Sequence, residues 1–420
     1  MIPKQTPGHT RSKSRDQLFR IAVRKYAPFE QAIRAQWESF EVQAGTGLTL
    51  DLISLELKPL EEALFTTQGM RKGDWDISFV ATDWIASMHA QQCAFDLAPL
   101  LQQNPPQDYP SGWSDSLLRL QRIGDSILGV PYHDGPECLI YRRDLFEDPS
   151  LRVRYEQQFQ QPLAPPTTWD EFHRVARFLH NPAERLYGTV FAAFPDGHNS
   201  VYDFLLQLWT RNGDLFSPSG KLRFYSPEAI EALTFYRTML ADEAAVHPEC
   251  RTLDSVAAGL AFAAGHVGMM INWFGFATMA HTSPSSAVQG NVDIANIPHG
   301  GQGSTASLNV YWILSIAAGS PHPDIAWQFL RHTMTAAMDK LTTTNGAIGC
   351  RKSTWHDPEV NAAIPFYHRI VQLHANAREI PQRSDWPRIA AAIDALVTAA
   401  AATHTPIIEL LQHADDSPAL

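Results

Sequence analysis

Two kinds of apolar pattern alternate along the chain. Short blocks rich in β-branched and aromatic residues read as strands: "LFRIAVRKY" (18–26), "GLTLDLISL" (47–55) and "DWDISFVATDW" (74–84), the last with 77–81 as its buried centre. Between the first two, "FEQAIRAQWESFEVQAG" carries a helical period. In the middle third the helical pattern dominates. "TTWDEFHRVARFLH" sets Thr168 and Glu171 at capping-box spacing, and Trp169, Phe172, Val175, Ala176 and Leu179 fall on one face. "SPEAIEALTFYRTML" opens with a serine cap and a proline at the first helical position.

Strand-like blocks appear within and after this region: "YGTVFAAF" (187–194), "HVGMMINWF" (266–274), "NVDIANIPH" (291–299) and "NVYWILSIAA" (309–318). A helical stretch follows in "SPHPDIAWQFLRHTM", then a turn in "NGAIGCRKS", and the C-terminal part is helical around "AAAIDALVTAAAA". Alternating strands and helices predict an α/β architecture. The strand-rich, helix-rich, strand-rich, helix-rich order fits two lobes that the chain enters more than once. One segment is informative at residue level. In "GVPYHDGPECLIYRRDLF" (129–146) two strands meet at the polar run His133, Asp134, Gly135, Pro136 and Glu137, which reads as a loop or as a crossing between lobes beside a ligand.

Composition narrows the class. At 420 residues, 45% hydrophobic and 18% charged, the chain can bury a large core, and a prior of about 100–200 residues per domain gives two or three domains. A net charge of −11, with basic residues clustered only in "RSKSRDQLFR", argues against nucleic acid, whose phosphates bind clustered cations. No apolar run approaches the ~18–20 residues of a membrane span. The N-terminal "MIPKQTPGHTRSKSRDQ" lacks the apolar segment of a secretory signal and a twin-arginine pair. Cys93, Cys138, Cys250 and Cys350 form no CxxC or CxxH spacing, so they are expected as buried free thiols, a disulfide being open in an oxidising compartment. Neither metal nor cofactor is expected.

Catalytic signatures are sparse. Asp74 and Asp76 could serve as a carboxylate pair, but alternate residues of a strand point to opposite faces. G-x-S-x-G, H-E-x-x-H and P-loop motifs are missing, and "HGGQG" (299–303) lacks the Lys-Ser/Thr of a nucleotide loop.

Several segments, in order across nearly the whole chain, resemble the family 1 extracellular solute-binding proteins of ABC transporters, the group that includes the maltose-binding protein. "DWDISFVATDW" resembles the family's third strand. "ILGVPYHDGPECLIYRRDLF" resembles the first lobe crossing, and "PPTTWDEF" the following helix start. "AAGLAFAAGHVGMMINWFGF" resembles the G-x-x-A-M strand with its trailing aromatic. "IPHGG" with "NVYWILSIAAGSPHPDIAWQFLRH" resembles the second crossing and return helix. The resemblance implies a two-lobed periplasmic-binding-protein fold of type II. After a polar extension over 1–17, one lobe would comprise 18–134 plus 306–350 and the other 135–305 plus 351–420. Hinges fall near 133–137, 300–308 and 350–353.

The implied function is that of a monomeric substrate-binding component of an ABC importer. It would hold a carbohydrate or related polyol between the lobes, close by hinge rotation, and be recognised when closed by the permease subunits. It carries out no chemistry on the ligand. The family places such a protein in the periplasm or otherwise outside the cytoplasm. Without a visible signal peptide, the alternative is a cytoplasmic sugar sensor of the same fold.

A sugar site combines flat aromatic faces with groups that hydrogen-bond hydroxyls, and the family's contacts come from strand ends. The corresponding positions are Lys25 and Tyr26 after the first strand, and Asp83 and Trp84 after the third. The first crossing supplies His133 and Asp134, and the loop "FPDGHN" supplies Phe194, Asp196, His198 and Asn199. Later segments add Asn272, Trp273 and Phe274, then Asn309, Tyr311 and Trp312, then Arg351 and Trp386. Trp273 and Trp386 stand out as stacking platforms. Each position has a structural alternative: the tryptophans as core, Asp83 as a helix cap, Lys25 and Tyr26 as a strand end, Arg351 in a surface ion pair. The basic candidates His133, His198 and Arg351 suit an acidic or phosphorylated sugar as well as a neutral one.

Overall fold

The computed structural model describes residues 14–416. Residues 1–13 of the expected polar extension lie outside them. Residues 15–17 form a short helical turn, and Arg15 donates to Gly73 O at 2.9 Å and pairs with buried Asp76 at 3.2 Å.

In chain order the strands are β1 (Leu18–Arg24), β2 (Thr49–Leu55), β3 (Ile77–Ala81), a short hairpin of β4 (Arg122–Ile123) and β5 (Ser126–Ile127), and β6 (Val130–His133). They continue with β7 (Glu137–Arg142), β8 (Tyr187–Val190), β9 (Val267–Trp273), β10 (Val292–Ala295), β11 (Ser307–Asn309), β12 (Trp312–Ile316) and β13 (Ala377–Glu379). A five-stranded sheet has the order β2-β1-β3-β12-β6 and a four-stranded sheet the order β10-β7-β9-β8. This is the two-lobed periplasmic-binding-protein architecture.

The continuous hydrophobicity of β3 has a simple cause: it lies between β1 and β12 with every residue buried, and strands covered on both faces need no alternation. β2, at the edge, is half-buried throughout, and its Asp51 pairs with Arg20 of β1 at 2.9 Å. The helix Ala27–Ala44 covers this sheet, with Trp37 stacked on Phe19 at 4.6 Å and meeting Phe329 of the helix Pro323–Thr333 at 5.3 Å. Against the second sheet, the helix Trp169–Leu179 begins at the expected capping box: Thr168 accepts from Glu171 N at 3.3 Å, and Glu171 accepts from Thr168 N at 3.2 Å. Its approach to β8 requires Gly188, where a Cβ would stand 1.8 Å from Ala176 O.

The strand directions place the functional ends together. β1, β3 and β6 run parallel and end at Arg24, Ala81 and His133; β12 runs antiparallel and begins at Trp312, which pairs with both Ala81 and His133. In the second sheet, β9 ends at Trp273 beside Glu137, where β7 begins. The two sheets therefore face each other through these ends, as ligand sites of open α/β sheets do.

The first passage between the sheets is 134–136, in which Gly135 holds φ +128°. The second contains β11, which pairs in parallel with β13. Residues 350–353, where the sequence reading places the third crossing, pack against 112 and 339: Lys352 N donates to Gly112 O, and Cys350 N and Arg351 N donate to Asp339. Beyond them the chain meets the second sheet's side at Phe366 and Tyr367, which pack on Phe274, and at Arg369, which pairs with Asp293 of β10; after β13 it does so again through Trp386–Ala402. All four cysteines are free and buried, and no helix among the described residues is long and apolar enough to cross a membrane.

Candidate functional site

Between the sheets lies a cavity of about 120 Å³. The first sheet's side contributes Tyr26, Phe29, His133 and Trp312; the other side contributes Asp196, His198, Asn199, Tyr202, Trp273 and Phe276; Asp134 and Gly135 form the passage between them. Three helix starts border it: Asn199–Trp209, Ser255–Ala263 and Phe274–Thr282. Helix N-termini carry orphan N–H groups and partial positive charge, and here carboxylates meet two of them. Asp196 accepts from His198 N at 2.9 Å and Asn199 N at 3.0 Å, while Asp254 accepts from Ala257 N at 2.8 Å.

Trp273 and Trp312 are partly exposed, one from each sheet, and both line the cavity. Trp273 is held by an edge contact with Tyr202 at 5.8 Å, and Trp312 by a perpendicular contact with Trp84 at 5.8 Å. His133 is fixed as a neutral ring: its Nδ1 accepts from Ile348 N at 2.8 Å, Phe29 packs on it edge-on at 4.7 Å, and burial pushes its pKa down to about 3. Nε2 then carries the hydrogen. Burial likewise pushes the Tyr26 phenol up, and its hydroxyl is buried without a partner. Asp134 Oδ2 meets His374 at 2.7 Å, while its Oδ1 is buried without a partner.

The two sides touch directly at several points. Tyr202 donates to Asp83 at 2.9 Å, and His198 Nε2 lies 3.3 Å from the same carboxylate oxygen. Burial alone would lower the pKa of His198, but the hydrogen bond and charge of Asp83 outweigh it and hold it at about 9. Arg24 bonds Glu56 at 2.5 Å and approaches Asp254 across the cleft at 3.9 Å. Beyond Arg24 a larger outer groove of about 970 Å³ opens, sharing Tyr26 and Phe276 with the inner cavity and lined further by Lys25, Leu260 and Met279.

Of the positions singled out from sequence, Tyr26, His133, Asp134, Asp196, His198, Asn199, Trp273 and Trp312 converge on the cavity. Asp83 and Trp84 stand behind it, against His198 and Tyr202. The others are elsewhere. Lys25 faces the outer groove and pairs with Glu56 at 2.9 Å, and Phe194 is 46% exposed away from the cavity. Asn272 is spent on Ser255 O at 3.0 Å, and Phe274 is enclosed by Phe366 and Tyr367. Asn309 is buried on Ser116 O, and Tyr311 donates to Leu117 O. Trp386 is 2% exposed in the core, so it offers no free face. Arg351 is buried over Trp113, bound to Asp108 and Met334 O at 2.9 Å each.

Sequence reasoning missed Tyr202, Phe276, Arg24 and Asp254. Tyr202 sits one helical turn beyond His198 and Asn199, so a helix start at the polar loop would have pointed to it. Asp254 is an N-cap residue, and its signal was the helix "SVAAGLAFA" that follows.

A sequence model described as "Bacterial extracellular solute-binding protein" matches residues 24–338. A probable ABC transporter-binding protein of Deinococcus radiodurans is 24% identical over 347 residues, 79% of this chain and 76% of that protein. Among solved structures, a maltose-bound MalE3 of T. maritima superposes with a TM-score of 0.84 at 22% identity, over 95% of this chain and 98% of that one. A solute-binding protein of Agrobacterium radiobacter K84 in complex with ribitol does so with a TM-score of 0.83 at 22% identity, over 95% and 97%.

Proposed function

Because this chain belongs to the bacterial extracellular solute-binding protein family, a family of ABC-transporter binding proteins rather than catalysts, we propose that it binds a single sugar ring or a short polyol in the inner cavity and delivers it to an importer. The observation that carries this reading is the pair Trp273 and Trp312, one from each sheet, facing one cavity whose wall also presents the polar groups of His133, Asp134, Asp196 and Asn199. Aromatic faces cover C–H faces of a sugar, and the carboxylates and the His133 Nε2–H meet its hydroxyls. A volume of about 120 Å³, about four waters at roughly 30 Å³ each, suits a small compact ligand rather than a long oligosaccharide. The solved relatives bound to maltose and to ribitol support both ligand classes.

In this reading the lobes open and close about the three passages, and a ligand that touches both sides favours the closed form by its differential affinity. The closed monomer is then what the permease subunits recognise, outside the cytoplasm. The test is a thermal-shift screen of the purified protein against mono- and disaccharides, polyols, sugar acids and sugar phosphates. A ligand at a hundredfold excess over its Kd stabilises the folded state by about 2.7 kcal/mol. A shift with neutral sugars or polyols supports the reading, and no shift across the panel rejects it.

A further inference from the structure

The three passages between the sheets are tied to one another beside the cavity. Ser307 Oγ donates to Glu137 O, joining the second passage to the first. β11 and β13 pair, joining the second to the last. The first is joined to the last by a side-chain bond: His374 Nε2 lies 2.7 Å from Asp134 Oδ2, with both side chains buried.

His374 is itself fixed on three sides. Its Nδ1 is 3.0 Å from Ser116 Oγ, which is in turn 2.7 Å from Ser114 Oγ, and its ring stacks on Trp355 at 5.0 Å and 18°. With Nε2 bearing a hydrogen toward the Asp134 carboxylate, Nδ1 faces the Ser116 hydroxyl. The Asp–His–Ser connectivity repeats that of hydrolytic triads. Ser116, however, lines neither the inner cavity nor the outer groove. The relay therefore ends in the wall, and what it presents to the cavity is the carboxylate at its other end. Asp134 lines the cavity, and its Oδ1 is buried with no hydrogen-bond partner. An unpaired buried carboxylate oxygen is costly, so the site is built for a donor to arrive.

We propose that His374 is a positioning residue: by holding Oδ2 it fixes Asp134 so that Oδ1 accepts a hydroxyl hydrogen from the bound sugar or polyol, and this contact decides specificity. The inference rests on the proposed function. A hydroxyl given to a carboxylate is a charge-assisted bond. An analogue lacking that hydroxyl leaves Oδ1 buried and unpaired, the situation that produces strong rejection.

The test uses ribitol, D-mannitol, D-glucose and maltose as probes, with the monodeoxy analogues of whichever binds, measured by calorimetry on the full chain. His374→Phe keeps the stack on Trp355 and removes both nitrogens; His374→Gln keeps an N–H able to reach Asp134. The expected results are a loss of about tenfold or more in affinity for His374→Phe, with substantial recovery for His374→Gln. One deoxy analogue that the wild type rejects is rejected much less by His374→Phe. His374→Phe combined with Asp134→Asn binds no more weakly than Asp134→Asn alone. A merely structural role would lower the melting temperature and all affinities while leaving discrimination among analogues intact. That pattern, or additive losses in the double variant, overturns the inference while the sugar reading survives. If no probe binds the wild type, the sugar reading fails and this inference fails with it.

Discussion

The Tyr202 hydroxyl donates across the cleft to Asp83 at 2.9 Å, joining the helix Asn199–Trp209 of one lobe to the turn after β3 of the other. Asp83 Oδ2 also faces His198 Nε2 at 3.3 Å. Under the proposed opening and closing of the lobes both bonds would be absent from the open form, so they would contribute to the closed state alone.

Tyr202→Phe removes the first of them and little volume. A hydrogen bond to a charged group is worth about 1.5–3 kcal/mol, and here the loss falls on closure. Apparent affinity for the sugar or polyol found in the screen is therefore expected to drop by about tenfold or more, since only the closed fraction binds tightly. Small-angle scattering of the ligand-free variant should give a larger radius of gyration than the wild type. Equal radii and equal affinities would remove the latch.

His198 makes the same junction pH-sensitive. Its folded pKa of about 9 lies above the ordinary 6.5, so the folded state holds a proton that the unfolded chain gives up first. The stabilisation is full below about 6.5 and is lost as pH rises through about 9. Melting curves of the wild type and His198→Gln should differ most near pH 6 and converge above pH 9. His133, neutral in the fold with a pKa of about 3, acts in the opposite sense. As pH falls from about 6.5 toward 3 the unfolded chain gains a proton that the folded one refuses, so the wild type loses stability relative to His133→Gln.

The fold was legible because its strands are coded locally. Ile77–Ala81, Val267–Trp273 and Trp312–Ile316 are apolar blocks whose ends coincide with cavity positions. What the sequence could not give was the direction of each side chain at those ends. Trp273 and Phe274 are neighbours, yet one faces the cavity and the other is enclosed by Phe366 and Tyr367. His374 was invisible for another reason: its partners Ser116 and Asp134 are 258 and 240 residues away. The stretch "NGAIGCRKS" has the composition of a turn, and its packing on Asp339 is a tertiary fact that the composition does not carry.

The tryptophans separate binding from stability. Trp273→Ala and Trp312→Ala each remove a partly exposed face from the cavity. Each should weaken binding by more than about 1 kcal/mol with little change in the ligand-free melting temperature. Trp386→Ala empties a core position instead and should cost about 3–5 kcal/mol of stability with unchanged affinity at temperatures where the protein is folded. Calorimetric titration and thermal melting of the three variants together decide it. A loss of affinity confined to Trp386→Ala would reverse the assignment.

The charge of the ligand follows from what each cation is already doing. Arg351, the strongest candidate for a sugar carboxylate or phosphate, is held by Asp108, Gln107 O and Met334 O with its side chain 2% exposed. His133 is neutral, His198 faces Asp83, and Arg24 is bound to Glu56. Asp134, Asp196 and Asp254 line the cavity as well. An anionic ligand would therefore meet carboxylates and no free cation among the lining residues, so a uronic acid or sugar phosphate should bind more weakly than the neutral sugar by at least tenfold, and the gap should shrink in Asp134→Asn. Arg351→Met should leave neutral-sugar affinity intact and lower stability by about 1.5–3 kcal/mol through its lost charged hydrogen bonds. Preferred binding of the acidic sugar, abolished by Arg351→Met, would mean that the guanidinium reaches the ligand after all.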